Sequence, residues 1–311
     1  MSSLTYLQSI VIGAVQGISE LFPVSSLGHA VLIPALIGGS WAKNLDVAST
    51  TSPYLAVIVG LHLATALALL VFYWRDWVTL LRGAGTSIRH RRISTGPERL
   101  FWLVAAATVP VAIAGLIFDK LLRTTLGKPL PAAVFLMING VVLLVGQRLA
   151  KRSAAGHPGG APAADEVLTP ARVGAHGATA TDERIATLPV LRGIGIGAAQ
   201  IFALLPGISR SGSTMVAAQR AGLTNQEAAR FSFLLAAPAI LGAAVLKLPD
   251  LFGPLGHGIL GPVLAGSAVA FVCALGAVAF LDRYFARRSL VPFAIYCIVA
   301  GAACVVVFLT R

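Results

Sequence analysis

Six stretches of this chain, residues 53–74, 99–119, 132–149, 225–248, 259–281 and 291–309, are apolar nearly throughout and bounded by charge or by Gly and Pro. A run of about 20 such residues matches the roughly 30 Å hydrocarbon core of a bilayer. Six of them in 311 residues leave too little polar sequence to clothe a soluble domain. The composition agrees, with 57% hydrophobic and only 12% charged residues. The expected class is therefore an all-α, multi-pass integral membrane protein. A net charge of +12 is assigned to a cytoplasmic face loaded with Lys and Arg and not to nucleic acid. Cys273, Cys297 and Cys304 lie in apolar C-terminal stretches without metal-ligand spacing and read as packing residues. The first apolar run has no basic stretch before it and no cleavage-site pattern after it, so it reads as mature chain and not as a signal peptide.

Two further apolar regions are broken by polar centres. Residues 4–38 carry Gln16, Glu20, Pro23, Ser25, Ser26 and His29, and residues 189–222 carry Gln200, Pro206, Ser209, Arg210, Ser211 and Thr214. A straight helix would expose these groups to hydrocarbon. A pair of half-helices that dips in and turns back keeps the broken backbone covered by protein or water. The two regions also resemble each other. GAVQGISELFPVSS (13–26) aligns with GAAQIFALLPGIS (197–209) with one residue of slippage and with Pro23 and Pro206 at the turns. FLMINGVVLLVG (135–146) loosely mirrors FAIYCIVAGAAC (293–304). The expected architecture is two inverted repeats, 1–149 and 188–311. Each is a re-entrant hairpin plus three spans, giving six spans and ten helices in all, with 150–187 as a flexible cytoplasmic linker between them. A repeat with an odd number of spans inserts its copy upside down and places a site at the repeat interface.

Charge counting orients this arrangement. With the N-terminus outside, the loops near 75–99, 148–192 and 282–289 lie inside and hold fifteen of the 24 Lys and Arg, against six outside. The hairpins then enter from opposite sides, tip toward tip. His157 and His176 in the linker read as solvated, His62 as a structural histidine within a span, and Phe72, Tyr73, Trp74 and Trp77 as an interfacial aromatic belt.

The chemistry sits in the two broken centres. Gln16 and Glu20 share a helix face, and a carboxylate at depth costs about 2.5–3.5 kcal/mol, so it needs a purpose. Pro23 ends the first half-helix, leaving Ser25 and Ser26 at the start of the second, where free N–H groups and the dipole favour an anion. His29, three residues on, is expected within reach of the Ser26 hydroxyl, the pairing that activates a serine nucleophile. In the second hairpin Gly207 permits a tight turn, while Ser209, Ser211 and Thr214 supply hydroxyls. Arg210 supplies a planar fork that suits phosphate oxygens and a counter-charge for Glu20.

QGISELFPVSSLGH resembles the first signature of bacterial undecaprenyl-diphosphate phosphatases of the bacitracin-resistance type, in which PVSSxGH follows a spaced pair of acid or amide side chains. LPGISRSGST resembles the second, PGxSRSxxT, and RFSFLLAAP the segment after it. The resemblance runs from about residue 4 to the C-terminus. It implies an enzyme that removes the terminal phosphate of undecaprenyl diphosphate and so recycles the carrier lipid for peptidoglycan synthesis. It implies Glu20 as essential acid and contact for a divalent cation, Mg2+ or Ca2+. It also implies Ser26 as nucleophile, His29 as its acid–base partner and Arg210 as the diphosphate clamp, with Gln16, Ser25, Gly207, Ser209, Ser211 and Thr214 around the substrate. Glutamine at position 16, where many members have Glu, leaves one carboxylate for the ion, whose other oxygens must come from phosphate and water. The insert 150–187 is longer than the family pattern suggests. The expected partners are the polyprenyl diphosphate, membrane lipids and, left open, a second copy of the chain as a homodimer. The expected location is the bacterial plasma membrane, with the site mouth on its outer, periplasmic side. Inverted repeats with re-entrant hairpins are also transporter hardware, so a flippase of a phosphorylated lipid is the alternative, and a purely structural membrane subunit the third reading.

Overall fold

The structure is a computed structural model that describes residues 4–49, 54–155, 180–253 and 258–311; among these all regular structure is helical. The chain opens with α1 (Tyr6–Ser19), started by a capping box in which Thr5 and Gln8 satisfy each other's backbone N–H groups. After a turn come α2 (Ser26–Ile37), the short α3 (Gly39–Asn44) and the long α4 (Tyr54–Phe72). Then follow α5 (Trp74–His90), α6 (Gly96–Leu126) and α7 (Pro129–Ala155). The second half runs through α8 (Ala180–Ala186), α9 (Val190–Ala198) with a 3-10 continuation over Ala199–Leu204, and α10 (Arg210–Arg220). It ends with α11 (Asn225–Phe252), α12 (Leu260–Phe285) and α13 (Val291–Thr310).

Helices α4, α6, α7, α11, α12 and α13 coincide with the six apolar stretches, as expected where each backbone polar group must be satisfied within its own segment. Among the described residues five helices are long and apolar enough to cross a bilayer, and up to seven spans result if each bent pair is one span, so this is a multi-pass membrane protein. The four half-helices also form: α1 and α2 in the first broken region, α9 with its 3-10 turn and α10 in the second. Thirteen α-helices are present among the described residues where ten helices are expected. The additional ones are α3, α5 and α8.

Three expectations change. The stretch 75–99 is not simply a loop. Apolar residues spaced at helical intervals between arginines make α5, set at 82° to α4 across Tyr73. Tyr73 itself is buried and does not sit in an aromatic belt. Its ring lies 4.4 Å under the Arg230 guanidinium and its hydroxyl donates to Asp282 at 3.1 Å. Arg230 also forms a fork on Asp182 (3.0 and 3.1 Å) and meets Asp76 at 2.8 Å. This buried ionic knot ties the α4–α5 corner to α8, α11 and α12. The third change concerns the linker, whose ends are ordered: 150–155 continue α7 and 180–186 form α8. Its centre, with His157, His176 and Arg172, lies outside the described residues.

Packing crosses between the two halves. The first arm of the first hairpin, α1, lies along α12, and the first arm of the second, α9, lies along α6. α4 packs on α11, and α7 on α13. Close approach explains the small residues in both arms. A Cβ on Gly13 would overlap the Gly266 carbonyl of α12, and one on Gly197 the Ala107 carbonyl of α6.

Candidate active site

The hairpin turns meet. Gly207 has φ +111°, a region open to glycine, and a Cβ on Gly28 would come within 2.9 Å of the Gly207 Cα. Ser25, the residue before α2, adopts φ 68° and ψ 99°, a strained conformation for a residue with a side chain. Its environment holds it there. The Ser25 hydroxyl oxygen accepts from Gly28 N–H (3.1 Å) in its own helix and from Gly207 N–H (3.2 Å) in the other hairpin. Asn139 of α7 holds both loops at once, donating to the Pro23 carbonyl (3.1 Å) and accepting from Ser209 N–H (2.9 Å). Ser211 donates to the Phe22 carbonyl at 3.1 Å, so hydroxyls of the second hairpin satisfy carbonyls freed by the break in the first. Each loop supplies hydrogen bonds that the break leaves open in the other.

Most hydroxyls expected around a substrate are therefore used in construction. Ser209 caps α10 through Gly212 N–H (3.1 Å) and lies 3.1 Å from the Ser211 hydroxyl. Thr214 donates back toward Arg210 and Ser211 carbonyls and meets Ser232 at 2.9 Å. Ser25, Ser209, Ser211 and Thr214 are all buried, as is the Gly207 turn. Their direct contact with a ligand, expected from the sequence, is not what their hydrogen bonds favour.

The remaining groups converge on Glu20, which ends α1 and is buried. Its Oε2 accepts from Gln16 Nε2 (2.9 Å) and from the Ser26 hydroxyl (2.5 Å), and lies 3.5 Å from His62 Nε2. Its Oε1 accepts from Arg210 Nη2 at 3.3 Å. Ser26 and Arg210 are the first residues of α2 and α10, so two helix N-termini face one another across this carboxylate. Ser26, His29, His62 and Arg210 are partly exposed, unlike the constructional serines. Arg210 carries the most telling feature. Its Nε and Nη1 are buried and have no partner among the described residues. Two unsatisfied donors on a buried guanidinium are costly, and an anion with several oxygens is the ligand they fit.

Two expectations need correction. His29 does not pair with Ser26. Its Nδ1 faces the Ser25 carbonyl at 2.7 Å and its Nε2 the Tyr296 hydroxyl at 2.7 Å. The carbonyl fixes the proton on Nδ1, so Nε2 is the acceptor and Tyr296 the donor. One turn of helix carries the imidazole away from the serine hydroxyl, which turns back to Glu20. His62 is not merely structural either. Its Nδ1 faces the Ile58 carbonyl at 2.8 Å and its Nε2 lies 3.5 Å from Glu20 Oε2. Asn139, Tyr296 and His62 were missed because each lies on a long apolar helix remote in sequence. An isolated polar residue within a span was the available signal.

Among the described residues no group of three or more His, Cys, Asp or Glu could hold a metal ion. Glu20 offers little: Oε2 is crowded by hydrogen-bond donors, and only Oε1, with one long contact to Arg210, has a lone pair to spare. The residues fit a divalent ion only as a single-contact guest whose other ligands arrive with phosphate and water.

The family model for "Bacitracin resistance protein BacA" matches residues 9–303. Among curated proteins, the chain is 60% identical over 303 residues to the undecaprenyl-diphosphatase of Mycolicibacterium paratuberculosis, with 97% of each chain covered. It is 59% identical to that of Mycobacterium avium, with 98% of each covered. It is 38% identical to that of Granulibacter bethesdensis, with 97% of this chain and 96% of the other covered. With both hairpin signatures and nearly the whole length inside the match, the chain belongs to the bacitracin resistance protein BacA family.

Proposed function

We propose that the protein is a membrane phosphatase that hydrolyses undecaprenyl diphosphate to undecaprenyl phosphate and inorganic phosphate, regenerating the carrier lipid for peptidoglycan synthesis. The observation that carries this reading is the pair of orphaned Arg210 donors, Nε and Nη1, beside a serine hydroxyl already hydrogen-bonded to a carboxylate. The diphosphate places its distal phosphate against Arg210 and the N-termini of α2 and α10, which stabilise charge as the anhydride breaks.

Ser26 attacks the distal phosphorus, and Glu20 Oε2 takes the hydroxyl proton. The new Ser26 O–P bond replaces the anhydride P–O bond, and polyprenyl phosphate leaves. Water then attacks the phosphoserine; as the Ser26 O–P bond breaks, Glu20 Oε2 hands its proton back to the serine oxygen and phosphate is released. His29, its tautomer set by the Ser25 carbonyl, offers Nε2 as base for that water once Tyr296 gives way. His62 Nε2, 3.5 Å from Glu20 Oε2, flanks the carboxylate on the side opposite Arg210's contact with Oε1. Gln16 holds Glu20 in register. Ser25, Gly207, Ser209, Ser211 and Thr214 shape the loops that present these groups. Glu20 would hold a divalent cation, Mg2+ or Ca2+, which would neutralise charge on the phosphate.

The architecture belongs to the same proposal: two inverted repeats, 1–149 and 188–311, joined by 150–187, with six spans and two re-entrant hairpins. The reciprocal packing supports it, since α1 against α12 mirrors α9 against α6, and α4–α11 and α7–α13 each pair corresponding helices. The arginine-rich ends of α5 and α12 and the positive-inside rule favour their placement at the cytoplasmic face of the plasma membrane, with the site mouth on the outer side. A homodimer remains compatible with the lipid-facing surfaces.

Purified protein in detergent tests the reaction. An enzyme liberates inorganic phosphate from undecaprenyl diphosphate with no gradient and no bilayer; Ser26→Ala and Arg210→Ala abolish release while the protein stays folded. A flippase releases none, and phosphate release by wild type equal to a no-protein blank would end the proposal.

A further inference from the structure

Lined by none of the residues of the carboxylate cluster, the end of α12 carries an open hollow of about 480 Å3. Gly276, Ala279 and Phe280 line its apolar part, and Arg283, Arg287 and Arg288 its basic part. Gly276, Phe280 and Arg283 recur at intervals of four and three residues, so they form one stripe along α12, and Arg287 and Arg288 follow in the turn just beyond its end at Phe285. Over about 10 Å of helix the stripe passes from bare backbone through an aromatic ring to the Arg283 guanidinium. Phe280 is 50% exposed on this face, while its ring stacks at 5.9 Å on Phe22. Beside it the Tyr284 hydroxyl donates to the Ser289 carbonyl (3.2 Å), stiffening the turn that carries the arginines.

None of the three arginines has a carboxylate partner among the described residues. This contrasts with Arg184 and Arg230 at the same end of the bundle, both of which are paired. Three guanidinium groups without a carboxylate partner among the described residues, around a concavity whose other end is lined by Gly276, Ala279 and Phe280, match a molecule with an anionic head and an aliphatic tail. Solvated basic residues alone do not call for the trough, and the trough alone does not call for the charge. We propose that this hollow is a binding site for an anionic glycerophospholipid of the surrounding membrane, its phosphate held by Arg283, Arg287 and Arg288 and one acyl chain lying over Gly276 against Phe280. None of these residues belongs to the Glu20–Ser26–Arg210 cluster, so the proposal stands apart from the phosphatase reading.

Two variants address the two halves of the site. Arg283→Ala/Arg287→Ala/Arg288→Ala removes the head contacts. Gly276→Leu fills the trough while keeping every charge, and no atom lies within 4 Å of where its Cβ would point, so the helix has room for it. Binding of phosphatidylglycerol and of phosphatidylcholine is measured by native mass spectrometry on detergent-purified wild type and both variants, with thermal unfolding midpoints as the folding control. Wild type should prefer phosphatidylglycerol by about tenfold or more. The triple variant should lose that preference, and Gly276→Leu should weaken phosphatidylglycerol binding about fivefold or more with its midpoint unchanged, a loss the size of about one buried methylene. No headgroup preference in wild type, or a preference that survives the triple variant, overturns the proposal. So does an unaffected Gly276→Leu, which would reduce the effect to surface charge. Added arms separate the sources of phosphate. Displacement of phosphatidylglycerol by millimolar inorganic phosphate identifies a free-anion site, and tighter, equally variant-sensitive binding of polyprenyl phosphate identifies a product site; either result overturns the assignment to a phospholipid.

Discussion

Replacing Arg210 by Lys isolates what the guanidinium does beyond carrying charge. Lysine keeps a cation near Glu20 Oε1, where Arg210 Nη2 now sits at 3.3 Å, so the buried carboxylate is not abandoned. What disappears is the fork, and with it the two donors, Nε and Nη1, that have no protein partner. A hydrogen bond to a charged group is worth about 1.5–3 kcal/mol. Losing two of them costs about 3–6 kcal/mol of transition-state binding, which at about 1.4 kcal/mol per decade is a fall of roughly two to four orders of magnitude. The assay is kcat/KM for phosphate release from polyprenyl diphosphate in detergent, with the unfolding midpoint recorded in parallel. A midpoint within a few degrees of wild type and a loss of at least about 100-fold are expected. Arg210→Ala should lower the midpoint as well, because it strands Glu20 in a buried site. If Arg210→Lys retains activity within threefold, the orphaned donors do not hold phosphate and the argument from them fails.

Four further outcomes follow from the same contacts. Glu20→Gln should abolish turnover more completely than His29→Gln, since the Ser26 hydroxyl donates to Glu20 and not to the imidazole; equal or reversed effects in single-turnover phosphorylation would restore His29 as the base. Asn139→Ala leaves the Pro23 carbonyl and the Ser209 N–H unsatisfied in a buried place, costing about 1–3 kcal/mol each, so unfolding and activity should both suffer, and an unchanged midpoint would contradict the role given to this residue. Tyr296→Phe removes one exposed hydrogen bond to His29 and should change kcat/KM by no more than about tenfold, near the 1 kcal/mol worth of such a bond. Chelation should suppress phosphate release, yet calorimetry on the substrate-free protein should detect no Mg2+ binding tighter than millimolar, because Glu20 offers one contact; a micromolar site without substrate would reveal ligands not accounted for.

Much of this arrangement was legible in the sequence because a bilayer leaves few solutions. An apolar run long enough to span must be a helix, so the six long helices fall where the hydropathy places them. Glu20 and Arg210, each too costly to leave alone in hydrocarbon, had to find one another, and they do. The legible part ended where cost gave way to geometry. Ser25 and Ser26 are adjacent and chemically identical, yet one is wedged at φ 68° as a strut between loops and the other points at the carboxylate. Only the turn conformation decides between them, and that is fixed by the Gly207 N–H from the other half of the chain. His29 and His62 exchange their expected places for the same reason. Spacing along one helix put His29 near Ser26, whereas the rotation of α4 against the first hairpin, set by packing on α11 and α12, brings His62 to Glu20. The second hairpin makes the point from the other side. Gln200 keeps the glutamine of the first, but Leu204 stands where the carboxylate would be, and Gln200 donates only to the Gly197 carbonyl of its own arm. The two halves thus share a loop geometry while dividing the chemistry, one keeping the acid and nucleophile and the other the cation. That division requires the loops to touch: the buried Glu20 carboxylate keeps its charge beside the Arg210 guanidinium of the opposite loop, and removing either partner would strand the other.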